Sequence, residues 1–114
     1  MTAALRANVG ESLSAFVSWL AKHPIDGDRH FGGSSVRYQV GRYCDYLNSN
    51  PWPGGDPLRD AGARDGAASA YRAYLDMFNT PPAMISLILT SLDHFYVFLG
   101  LGRIEQPRRS VAQK

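Results

Sequence analysis

The sequence is poor in several residues on which small chemistries depend. Cysteine occurs once, at Cys44, so no disulfide can close within the chain and no second thiol exists to complete a zinc site. Its setting, Arg42-Tyr43-Cys44-Asp45-Tyr46-Leu47, reads as that of a reduced structural thiol rather than a nucleophile. Lysine occurs only at Lys22 and Lys114, which leaves arginine as ten of the 12 basic residues. No apolar run approaches the roughly 18 residues needed to cross a bilayer. The N-terminal MTAALRANVGES lacks the charged-then-apolar order of a secretory leader, so the expected location is the cytoplasm, with no membrane partner. Period-2 alternation and internal repeats are also missing, which disfavours sheet and solenoid architectures.

A catalytic constellation is missing as well. His23, His30 and His94 have no ligand spacing among them, so no metal and no other cofactor is expected. Ser34-Ser35 is not set in the G-x-S-x-G elbow of a serine hydrolase. Gly32-Gly33 precedes a helix but lacks both a P-loop lysine and a preceding strand, so it reads as a loop feeding a helix cap. Asp26, Asp28, Asp56, Asp60 and Asp65 fall near helix starts or in loops, where the helix dipole favours a negative charge.

What is present is a helical chain. At 114 residues, 45% hydrophobic and 19% charged, it is long enough for one packed core and too apolar to be disordered. The spacing predicts four helices. The first covers about Val9 to His23, with Leu13, Phe16, Val17 and Leu20 as one apolar stripe ended by Pro24. The second starts from Ser34 or Ser35 as N-cap and buries Val36, Val40, Tyr43 and Leu47. The stretch Asn48 to Pro57 holds three prolines and two glycines and must be a loop.

The third helix is expected from about Asp65 to Phe78, with Ala67, Ala68, Tyr71, Leu75 and Phe78 inward. Thr80 is a candidate cap for the fourth, about Pro82 to Leu99, whose first turn tolerates proline. That helix turns Ile85, Ile88, Leu89, Leu92, Phe95, Tyr96 and Leu99 inward and Ala83, Ser86, Thr90 and Asp93 outward. Gly100 and Gly102 supply a left-handed cap. The fold class is therefore all-α, a compact four-helix domain over residues 1–102, followed by a linker or tail over residues 103–114.

Charge is unevenly placed. The formal net charge is +2, yet Arg103, Arg108, Arg109 and Lys114 against Glu105 put +3 into the tail, leaving −1 for the first 102 residues. An arginine-rich end suits phosphate contact.

Three stretches carry a family resemblance. They are ESLSAFVSWL (Glu11 to Leu20), SSVRYQVGRYCDYLN (Ser34 to Asn48) and YRAYLDMFNTPPAMISLILTSLDHFYVFLGLG (Tyr71 to Gly102). Together they resemble the SAM-like core-binding domain of tyrosine recombinases, the phage-integrase family. The last is the most specific: Leu92, Asp93, Phe95, Tyr96, Phe98, Leu99 and Gly100 fit the family's S-L-D-x-F-Y-x-F-L-G ending. The chain departs from the pattern at Pro81-Pro82, at Ala83-Met84 where the family offers hydroxyl or amide side chains, and in the long loop from Asn48 to Asp65.

The resemblance implies an orthogonal four-helix bundle that clamps recombination-site duplex DNA during integration or a related recombination. Full-length protomers would assemble into a synaptic complex. It also implies that catalysis belongs to a separate C-terminal domain, so the chain itself is not an enzyme. Tyr43, Tyr46, Tyr71, Tyr74 and Tyr96 sit at helical core spacing, so aromatic packing explains them and none is expected to be a nucleophile. By the same resemblance the second and fourth helices approach the major groove. That places Ser34, Ser35, Arg37 and Arg42 on the DNA side of one helix and Ser86 and Thr90 on the other. Arg29, His30, Arg103, Arg108 and Arg109 would then reach phosphates from loops and tail.

The alternative is a helical protein–protein interaction module, for which Trp52, if exposed, is a suitable anchor; otherwise Trp52 covers one end of the core. Arginines clustered on one surface favour DNA, and an exposed apolar patch with dispersed arginines favours a protein partner.

Overall fold

The apolar periodicities resolve into four α-helices in chain order: α1 (Thr2–Lys22), α2 (Val36–Ser49), α3 (Ala61–Met77) and α4 (Pro82–Phe98). The computed structural model describes residues 2–23 and 35–104, with side chains from Val9 onward in the first stretch. No strand occurs among the described residues, and the chain is an all-α four-helix domain. The second helix is the hub: α4, α1 and α3 all pack against it.

The core is aromatic. Phe16 of α1 meets Phe95 of α4 edge-on at 5.2 Å between ring centroids, and Tyr43 of α2 meets Tyr71 of α3 in the same manner at 5.1 Å. Such edge-to-face pairs are favourable because the positive ring edge approaches the negative face. Tyr43 and Tyr96 are both fully buried, and their hydroxyls are joined by a 2.7 Å hydrogen bond, so neither polar tip is orphaned. Burial pushes the Tyr43 and Tyr96 hydroxyls well above the usual tyrosine value, and Tyr71 up to about 12. Cys44 is buried in this layer and its thiol is pushed up to about 12, as befits an inert packing residue.

Local chemistry sets the helix ends, and several differ from the sequence expectation. Helix α1 begins at Thr2, seven residues before Val9. Helix α3 begins at Ala61 rather than Asp65, because the Asp60 carboxylate accepts from Ala63 N–H at 2.8 Å and caps it a full turn earlier. Phe78, expected inward, is the residue that ends α3 and is 66% exposed. After it Asn79 adopts a left-handed φ of 58°, and Asn79 and Thr80 N–H bond back to Asp76 and Leu75 C=O. Asparagine here does what glycine does at most such ends. Thr80 does not cap α4, whose N-cap is Pro81 with no side-chain bond. Gly100 supplies the left-handed step after α4 as expected (φ 85°), with Gly100 and Leu101 N–H returning to Val97 and Tyr96 C=O.

Leu13, Val17 and Leu99 are half-buried rather than inside. The larger difference concerns Asp93, expected on the polar outer strip but 6% exposed. Its Oδ1 accepts from Ile104 N–H at 2.9 Å and its Oδ2 lies 3.6 Å from Arg103 Nε. Ile104 itself is 2% exposed. The packed chain thus runs past residue 102, and residues 103 and 104 belong to the domain. Buried Arg64 closes the same end, forking onto Asp65 and donating through Nη1 to Leu101 C=O.

Trp52 resolves as a half-buried cover on the core rather than an exposed anchor. A Cβ at Gly66 would fall 2.4 Å from Trp52 Cζ2, so the indole lies against α3 where only glycine leaves room.

Candidate nucleic-acid interface

Helix α2 is amphipathic with its arginines outside. Val36, Val40, Tyr43, Cys44 and Leu47 are buried, whereas Tyr38, Arg42, Asp45 and Ser49 are exposed and Arg37 is half-buried. At about 100° per residue, Arg37 and Arg42 lie on opposite edges of the exposed arc rather than side by side.

The helix start is held by Ser35, whose Oγ accepts from Tyr38 N–H at 3.0 Å. Ser35 is 2% exposed, so its side chain serves the cap, as the sequence suggested, and presents no surface for direct contact. The remaining N–H groups of that first turn carry the positive end of the helix dipole.

The two α2 arginines differ from the other arginines with described side chains. Arg59 pairs with Asp56, Arg64 with Asp65, Arg72 with Asp76 and Arg103 with Asp93. Arg37 and Arg42 have no carboxylate partner among the described residues. Arg37 Nε is buried and has no hydrogen-bond acceptor. Arg42 lies over the Tyr38 ring at 6.0 Å from its centroid, and its pKa is raised, chiefly through the Tyr38 side chain.

On α4, Ser86 and Thr90 are exposed on a strip shared with Ala83 and Val97, with His94 half-buried beside them. No arginine or lysine lies on this strip. Arg103 is exposed at the far end of α4, where Asp93 partly neutralises it. Arg29, His30, Ser34, Arg108 and Arg109 lie outside the described residues.

The sequence reading missed a groove between α2, α3 and the start of α4. It opens as two adjoining hollows of about 420 and 240 Å³ that share Arg42, Tyr71 and Tyr74. Tyr38, Phe78 and Met84 line the larger, and Asp45, Tyr46 and Ser49 the smaller. Tyr46 and Tyr74, assigned to the core from their spacing, are half-buried on its wall, their rings 5.0 Å apart. The signal that could have found the groove is Tyr38, an aromatic residue off the buried stripe of its helix; Phe78 lies on the apolar stripe of α3 by spacing, so only the structure shows it exposed.

No group of three or more potential metal ligands occurs among the described residues. No helix among them is long and apolar enough to cross a membrane. Comparison with protein-family models, curated proteins and solved structures finds no match.

Proposed function

We propose that this chain is a DNA-gripping domain of the tyrosine-recombinase core-binding type, which holds duplex DNA for a catalytic centre in a separate domain. The observation that carries the reading is the state of the arginines. Four of those with described side chains have a carboxylate neighbour, whereas exposed Arg42 and half-buried Arg37 on α2 have none among the described residues. An unneutralised guanidinium beside a capped helix N-terminus is suited to phosphate, which it can bind in bidentate fashion while the dipole adds to the attraction.

Helix α2 supplies Arg37 and Arg42, its first-turn amides extend the same end, and Ser34, which precedes the cap in sequence, is proposed to add a hydroxyl contact. Helix α4 offers Ser86 and Thr90, short hydroxyls that admit close approach of a base edge or sugar. Arg103, and Arg29, His30, Arg108 and Arg109 from the loop and tail, add phosphate contacts that position rather than specify. Ser35 acts indirectly, by fixing the helix start. In this reading the chain itself has no catalytic role.

The test is titration of labelled duplex at about 50 and about 200 mM salt, the range over which phosphate-driven affinity falls steeply. The parent binds at the lower salt and weakens strongly at the higher. Arg37→Ala and Arg42→Ala each weaken binding and reduce the salt slope by about 1, with helicity by circular dichroism unchanged. Equal affinity of parent and both variants at low salt, or no binding by the parent, would remove the proposal.

A protein-interaction role is the second reading. It is favoured by the exposed Tyr38, Phe78 and Met84 around one groove and by arginines that do not form a single cluster.

A further inference from the structure

The groove carries an inference that stands apart from DNA binding and gives the second reading a definite partner. Along the outer face of α2, Tyr38, Arg42, Asp45 and Ser49 are all exposed and follow one another at intervals of four, three and four residues. That is the spacing of a helix–helix seam, on which one helix meets another along a narrow stripe. Three of the five large hydrophobics exposed among the described residues, Tyr38, Phe78 and Met84, line the groove beside it. Apolar residues gathered at one place, rather than scattered singly, mark a surface that something covers.

The charges on the stripe identify what. Among the described residues Arg42 has no carboxylate within ion-pair distance and Asp45 no cation, although they share the smaller hollow. One helix thus bears an unpaired base and an unpaired acid one turn apart. Two such helices laid antiparallel about a two-fold axis bring each base against the other copy's acid: residue 42 faces 45 of the second copy, and 38 faces 49. A two-fold interface needs this self-complementarity, because every contact occurs twice with the roles exchanged.

We infer that a second copy of this chain covers the groove, α2 packing antiparallel on α2 of its neighbour, with reciprocal Arg42–Asp45 ion pairs and with Tyr38 and Phe78 sealing the ends. Because Arg42 also belongs to the proposed DNA face, duplex and second copy exclude one another there.

The test is sedimentation equilibrium of the full 114-residue chain, without DNA, over concentrations up to millimolar, with two charge reversals. The parent associates to a dimer. Arg42→Asp places two acids opposite one another at each contact and Asp45→Arg two bases, so each variant alone associates about tenfold more weakly or not at all. Mixing the two variants restores association as a heterodimer, visible by native mass spectrometry, because acids on one copy then face bases on the other. No change within one folded chain produces that rescue.

A parent that stays monomeric, reversals that associate as well as the parent, or a mixture no tighter than its components would each overturn the inference. If the parent is monomeric while Arg42→Asp loses duplex binding, the face belongs to DNA alone and the proposed function stands without the dimer.

Discussion

Tyr43 and Tyr96 are a case where one residue's contribution depends wholly on another. With a 2.7 Å hydrogen bond inside the core, removing either hydroxyl leaves the other buried and unpaired. Tyr43→Phe and Tyr96→Phe should each cost about 1–3 kcal/mol, and the double variant clearly less than their sum, as measured by urea unfolding in a double-mutant cycle. Ionisation gives these residues a second signature. Unfolded, thiols ionise at about 8.5 and tyrosines at about 10. Folded, burial holds the Cys44 and Tyr71 protons until about pH 12, and raises Tyr43 and Tyr96 as well. Between those limits the native state binds more protons than the unfolded one, so raising the pH favours unfolding. Stability should be level with respect to these groups near neutrality and fall from about pH 9 upward. Cys44→Ala should flatten the earliest part of that fall, before the tyrosines contribute, as followed by urea midpoints against pH.

At the scale of the element, α3 illustrates how far a helix boundary can move on one side chain. The Asp60 cap starts the helix four residues before the apolar stripe gave reason to expect it, and Asn79 ends it by taking a left-handed φ. Within the helix, Gly66 contradicts propensity for a packing reason. Alanine there should gain about 1 kcal/mol on propensity alone. Its Cβ would instead meet the Trp52 indole at 2.4 Å, an overpacking that costs about 1–3 kcal/mol. Gly66→Ala should therefore lower the thermal midpoint in the parent and raise it in a Trp52→Ala background. A loss in both backgrounds would show that Trp52 is not what keeps the glycine.

For the whole molecule, the decisive feature is that packing extends beyond α4 to Ile104. Asp93 on α4 holds Ile104 N–H, and Ile104 fills the core with 2% exposure, while Arg64 reaches Leu101 from α3. The segment after α4 is thus fastened from two helices. Deleting a buried isoleucine side chain costs about 2–5 kcal/mol. A chain ended at Gly102 should accordingly unfold at distinctly lower urea than one ended at Ile104, and Ile104→Ala in the full chain should reproduce most of the difference.

The sequence by itself determined the class of this protein and the inward faces of its helices. Period-3.6 stripes, proline and glycine breaks and serine caps are local signals, and Phe16, Tyr43, Tyr71, Leu92 and Phe95 are buried as those signals required. It also marked Arg37 and Arg42 as lying off the buried stripe of α2. Other features were decided only by the tertiary structure, because they depend on residues distant in the chain. Asp93 is polar and sits on a predicted outer strip, yet it is buried because the returning chain brings Ile104 N–H to it. Tyr46 and Tyr74 have core spacing, yet they line an open groove because no element covers that side of α2 and α3 among the described residues. Periodicity states which side of a helix is apolar; only the packing of the other helices states whether that side is covered.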